Sequence, residues 1–130
     1  MKVIKSSERG IPQSLFQIPV PVVDPRTKET IVFAFSHSRH SLVRAAQRGL
    51  REQKIAAALA YGVPYSKQGL VFYVLGEDQI PESLARQKDK LVNTVVVTDS
   101  NSDLVITCYR CSDPHRHIRR KRPTRVRDVA

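Results

Sequence analysis

The chain has 130 residues, of which 41% are hydrophobic, and it carries a net charge of +10 from 22 lysines and arginines against 12 aspartates and glutamates. That length suits one domain with an ordinary core, and no apolar run approaches the roughly 20 residues that a membrane-spanning helix needs. Two cysteines and one methionine do not describe a disulfide-stapled scaffold, and the polar stretch from Met1 to Arg9 lacks the apolar core of a secretory signal. A cytoplasmic protein with no membrane partner is therefore expected.

Residues 1–29 read as an extended, proline-rich N-terminal segment containing Pro12, Pro19, Pro21 and Pro25. Pro19-Val20-Pro21 cannot sit in a central strand, because each proline removes a ladder donor. Ile18 to Val23 is therefore expected as an edge strand, turning at Asp24-Pro25-Arg26-Thr27. A single domain spanning 30–112 follows. It opens with the β-branched and aromatic strand Thr30 to Phe35, after which Ser36 or Ser38 caps a helix that Gly49 ends. A second helix runs from about Arg51 to Tyr61, with Ile55, Ala58 and Leu59 inward, and stops at Gly62 before Val63-Pro64. Gly69 opens the strand Leu70 to Leu75. The charged insert 77–90 holds a short surface helix starting near Pro81-Glu82. Strands Leu91 to Thr98 and Leu104 to Arg110 are joined by the polar connection Asp99–Asp103. From Asp113 onward there is no apolar periodicity, so residues 113–130 are expected to be a flexible basic tail. This order predicts an α+β domain, two helices packed on a three- to four-stranded antiparallel sheet.

Mapping the charge is more informative than its total. Residues 36–54 contain Arg39, Arg44, Arg48, Arg51 and Lys54 against Glu52 alone, and residues 110–130 contain eight basic residues against Asp113 and Asp128. The remainder is neutral. Two such basic zones, richer in arginine than in lysine, favour a polyanion, with RNA or the ribosome first among partners. Arg39, Arg51, Lys54, Arg116, Arg119, Arg120, Lys121, Arg122 and Arg125 are the candidate backbone contacts.

Within the first helix, about 100° per residue stacks His40, Arg44 and Arg48 in one row flanked by Gln47. Leu42, Ala45 and Ala46 point the other way, and Val43 lies on the boundary. Histidine titrates near neutrality and arginine forks match phosphate oxygens, so this row offers two of the three things that metal-independent RNA cleavage requires. Tyr73, Thr107 and Tyr109 on neighbouring strands are candidate hydroxyl donors, Tyr109 first and Thr107 second. The same row also suits a solvated, non-catalytic binding face. Cys108-Tyr109-Arg110-Cys111 followed by His115 and His117 has zinc-type ligands at spacings unlike a standard finger, so Cys108 reads better as a buried hydrophobe. No metal and no cofactor is called for, since the chain also lacks a glycine-rich phosphate loop. Residues 41–61 admit a helix-turn-helix reading, weakened because Ile55-Ala56-Ala57-Ala58-Leu59-Ala60 has almost nothing to read base edges. A structural protein whose tail binds an acidic partner is a further alternative.

Ser38-Arg39-His40 through Arg48-Gly49-Leu50, then Ile55, Tyr61-Gly62, Phe72-Tyr73 and Val105-Ile106-Thr107-Cys108-Tyr109, resemble the domain of unknown function 4258 family over about residues 30–110. That family is similar to RelE-like toxins and related metal-independent ribonucleases. The resemblance implies two helices before an antiparallel sheet, and places His40, Arg48, Thr107 and Tyr109 on motif positions. It implies a small endoribonuclease in which His40 acts as acid or base, Arg44 and Arg48 hold the phosphate, and Tyr109 assists. A protein inhibitor of antitoxin type would accompany such an enzyme. Ser41 stands where the family usually has alanine, the insert 77–90 is longer than the family needs, and the basic tail lies outside the motif.

Overall fold

The computed structural model describes residues 12–114 and residue 118. A 3-10 turn at Gln13–Phe16 leads into β1 (Gln17–Val23) and β2 (Thr30–His37), followed by α1 (Arg39–Gln47) and α2 (Glu52–Tyr61). Next come β3 (Val63–Lys67), β4 (Leu70–Leu75), 3-10 turns at Glu77–Gln79 and Glu82–Gln87, α3 (Lys88–Leu91), β5 (Thr94–Asp99) and β6 (Leu104–Arg110). The strands form one six-stranded sheet in the order β1-β2-β6-β5-β4-β3. Every neighbouring pair is antiparallel except β2 and β6, which run parallel and pair at Ser36 with Leu104 and at His37 with Val105.

The α+β class is as the residue pattern indicates, but the sheet has six strands rather than three or four, and it is mixed rather than antiparallel. Two local causes enlarge it. Gln68 and Gly69 both take positive φ, 59° and 78°, the geometry of a two-residue hairpin turn. That turn folds Val63–Lys67 back onto β4 as a strand the composition did not announce. The β1–β2 hairpin then joins as a unit beside β6, because Ile18 and Val20 need a core and are each only 1% exposed. The sheet therefore starts at Gln17, inside the proline-rich segment. The strand expected from Leu91 begins instead at Thr94, since Lys88–Leu91 closes as α3 and Asn93 turns the chain at φ 69°.

One face of the sheet carries the helices. α1 rests on β6 and β2, while α2 touches β1 at one margin and β4 and β5 towards the other. The sheet curls around α2, and Ile18, Val20, Leu50, Ile55, Ala58, Leu59, Leu75, Val96 and Cys108 form the core between them. The opposite face carries a smaller cluster of Phe72, Val74, Val95, Val97 and Ile118, with Tyr65, Leu70 and Tyr109 packed around it. Ile118 falls in the stretch read as a tail. A single isoleucine leaves no periodicity to read, yet it is 7% exposed and its carbonyl accepts from Lys67 Nζ at 3.0 Å. None of the described helices is long and apolar enough to cross a membrane.

Candidate nucleic-acid interface

The site begins with the cap of α1. Ser38 is extended (φ −71°, ψ 162°) and its hydroxyl oxygen accepts from Ser41 N at 3.0 Å. Of the two serines the pattern offered, it is the one that caps. Ser41 Oγ donates to the Ser38 carbonyl at 3.0 Å and lies 2.7 Å from His37 Nδ1. With its proton given to Ser38, the hydroxyl accepts from His37. Burial pulls the His37 imidazole below the usual 6.5, which keeps the ring neutral near pH 7. The inward face of α1 is thus Ser41 and Ala45, both buried, whereas Ala46 is exposed and Leu42 half-buried. The face is rotated from the expected Leu42/Ala45/Ala46 because an internally bonded serine is small enough to let α1 lie close on β6. The charge and helix patterns do not single out His37. It follows Phe33 and Phe35 at two-residue spacing along β2, which is the signal that would have turned it inward.

The outward row behaves differently along its length. Each four-residue step climbs about 6 Å and rotates about 40°, so the row winds towards the sheet. His40 and Arg44 are exposed, and Arg44 Nη1 reaches Gln47 Oε1 at 3.5 Å. Arg48, the C-cap before Gly49 (φ +69°), has turned far enough for Nη1 to donate to the Cys108 carbonyl at 2.7 Å. Arg39 and Arg51 are exposed, and Lys54 Nζ reaches the Gly49 carbonyl at 3.4 Å. Arg51, Lys54 and Lys90 then line a cleft of about 680 Å³ between α2 and α3, together with Gln53 and Gln87 and with no carboxylate in its lining. Lys88, outside this run, pairs with Glu77 at 3.5 Å. Arg39, Arg44, Arg48 and Arg51 are thus exposed and Lys54 half-buried, none of them with a described carboxylate at ion-pair distance.

The strand hydroxyls do not join this row. Along β6, Cys108 lies opposite Val96 on the helix side, while Thr107 lies opposite Val97 and Tyr109 opposite Val95. Side chains alternate across a sheet, so Thr107 and Tyr109 project from the face away from α1, and Tyr109 packs with the Val95 and Val97 cluster. Burial first, then the charge of Cys111, pushes the Tyr109 phenol up to about 12, which keeps it protonated. Tyr109 still lines a cleft of about 500 Å³ with Arg48, Leu50 and Arg110. Arg110 Nη2 donates to the carbonyls of Asp89 and Val92 at 2.9 and 3.0 Å. Tyr73 does lie on the helix side, edge-on to Phe35 with ring centroids 6.2 Å apart. Burial and then Asp103 raise its phenol.

Cys108 is fully buried, and burial pushes its thiol up to about 11 against the opposing charge of Arg48. It is a core thiol rather than a thiolate ligand. Cys111 is half-buried, His115 and His117 lie outside the described residues, and no group of three or more metal-ligating side chains occurs among the described residues. Arg116, Arg119, Arg120, Lys121, Arg122 and Arg125 also lie outside the described residues. The helix-turn-helix reading fails on α2, whose Ile55, Ala57, Ala58 and Leu59 are all buried against the curled sheet, leaving little of it to enter a groove. Comparison with protein-family models, curated proteins and solved structures finds no match to this chain.

Proposed function

We propose that the protein binds RNA by its phosphate backbone, along a cationic track from Arg39 and His40 over Arg44 to Arg48, continuing through Arg51 and Lys54 into the cleft beside Lys90. The observation that carries this reading is the run of cations, all exposed except half-buried Lys54, with no described carboxylate partner. Its spacing favours a strand over a single anion. A step of about 6 Å along α1 is of the order of the distance between successive phosphates, so each side chain can meet a different one.

Fluorescence anisotropy with a labelled single-stranded RNA, across a salt series, tests the proposal. Arg44→Ala is expected to weaken binding and to lower the salt slope by about 0.7, the value of one released counterion on a single strand. Unchanged affinity and slope in Arg39→Ala, Arg44→Ala and Arg51→Ala would show that RNA does not bind along this track.

A second reading, metal-independent cleavage of the bound strand, has one observation in its favour, the cleft that Arg48 shares with Tyr109 and Arg110. In that chemistry the 2′-hydroxyl attacks its own phosphorus, the 5′ oxygen leaves with a proton, and a 2′,3′-cyclic phosphate forms. His40 would move a proton and Arg44 and Arg48 would hold the phosphate, whereas the Tyr109 phenol, packed on the far face of the sheet, is not placed to protonate the leaving oxygen. Total RNA incubated in chelator between about pH 6 and 8 separates the readings. Cleavage by wild type that His40→Ala loses selects the enzyme, and intact binding without cleavage selects the binder.

A further inference from the structure

The three prolines of the edge strands share one placement. In the β1–β2 ladder Asp24 N donates to Glu29 O at 2.8 Å, and Val22 lies opposite Ile31, Val20 opposite Phe33 and Ile18 opposite Phe35. The even residues of β1 therefore bond to β2, and Pro19 and Pro21 sit where an N–H would point out of the sheet. At the other margin the two-residue turn makes Lys67 and Leu70 a bonded pair, which leaves Pro64 facing outward in β3. Proline at an outward position is a common defence against strand addition. Both margins are blunted in this way.

One stretch of edge has no such protection. β2 is eight residues long but meets β6 only at Ser36 and His37, with Ser36 N donating to Asp103 O at 3.0 Å. The same parity directs the N–H and C=O groups of Thr30, Val32 and Ala34 away from β1, and no described residue pairs with them. Around them Ile31, Val32 and Phe33 are 46%, 60% and 48% exposed. No charge or proline interrupts Thr30–Phe35. An apolar strand with free alternate donors and acceptors is a template for another strand.

The stretch is complementary to itself. Two copies run antiparallel about Val32 place Val32 opposite Val32 and Thr30 opposite Ala34, so that every outward N–H and C=O of the three residues is paired. Ile31 then faces Phe33 of the second copy, a β-branched to aromatic cross-strand pair, and no like charges oppose. Beyond Thr30 the second copy must diverge past the β5–β6 turn. There its arm tip, where exposed Arg26 and Lys28 accompany Asp24 and Glu29, comes beside Asp103 and Asp99 of a turn that has no cation of its own, Asp99 already accepting from Asn101 N and Ser102 Oγ. We infer that the protein is a two-fold dimer closed by antiparallel pairing of Thr30–Ala34 with the same residues of a second copy.

Sedimentation of the full chain from about 1 to about 100 μM tests this, because a dimer responds to concentration by mass action. Wild type is expected to shift towards twice the monomer mass. Val32→Pro deletes an outward N–H without touching the β1 ladder, and Val32→Lys puts two ammonium groups on the dyad; each is expected to weaken association at least about tenfold. Circular dichroism identifies a variant that has simply unfolded. Asp103→Lys, outside the strand, is expected to weaken the dimer, and addition of Lys28→Asp to restore it. A wild type that stays monomeric throughout overturns the proposal and leaves the edge to residues 1–11 or to a strand of another protein. A dimer unmoved by Val32→Lys and Asp103→Lys overturns it equally.

Discussion

α1 and α2 follow one another on the same sheet face, with 9 and 10 residues, yet they are held by different forces. α2 lies inside the curl, touching β1, β4, β5 and α3, and buries Ile55, Ala57, Ala58 and Leu59. α1 lies beside the curl on β6 and β2 and buries only Ser41 and Ala45. Its inward contact is largely polar, the Ser38–Ser41–His37 chain, and Val43 remains 43% exposed. A helix that contributes so little apolar area is free to carry His40, Arg44 and Arg48 outward. The exposed cations of α1 and the buried side chains of α2 thus lie on different helices, although Arg51 and Lys54 carry the proposed track on to the start of α2.

Substitutions that probe this division should rank in a definite order. Ile55→Ala, at a site 1% exposed, should cost about 3 kcal/mol in urea unfolding, from lost transfer energy and a cavity, with RNA affinity of the folded fraction unchanged. Ser38→Ala removes the cap of α1 and should cost about 1 kcal/mol in the same assay.

The His37 contact should give a pH-dependent effect. Its folded pKa lies below 6.5, so above that pH both states are neutral and nothing is gained. As pH falls through 6.5 the unfolded chain takes up a proton that the folded ring refuses, and stability drops. Thermal unfolding at about pH 7.5 and about pH 5.5 should show this loss, and His37→Gln should reduce it. Arg44→Ala, on the exposed face, should move stability by less than about 0.5 kcal/mol while weakening RNA binding. Were Arg44→Ala to destabilise as Ile55→Ala does, α1 would be a core helix and the division would fall.

Much of the local structure is legible in the residues. A serine cap for α1 (Ser36 or Ser38, of which Ser38 serves), Gly49 as helix stop, Ile55, Ala58 and Leu59 as the inner face of α2, and the proline-marked edge strand β1 each depend on neighbours within a turn or a strand pair. The site is only partly legible. The row His40, Arg44 and Arg48 follows from helical period, but its drift towards the sheet matters only because β6 lies alongside to receive Arg48. Alternation puts Cys108 opposite in direction to Thr107 and Tyr109. Which of the two directions faces the helices is not a property of that strand alone.

Sequence by itself determined the α+β class, the segregation of positive charge to residues 36–54 and 110–130, and the ends of α1 and α2, because composition and short-range sterics suffice for these. The tertiary structure alone decided that β2 runs parallel to β6, that α2 fills the curl, that Thr107 and Tyr109 lie across the sheet from α1, and that Thr30–Ala34 keeps an open edge. Each of these rests on contacts between distant parts of the chain, as in the hydrogen bond from Arg48 to the carbonyl of Cys108, 60 residues away. The pairing of such partners is settled by which surfaces can be buried together, and no local pattern encodes it.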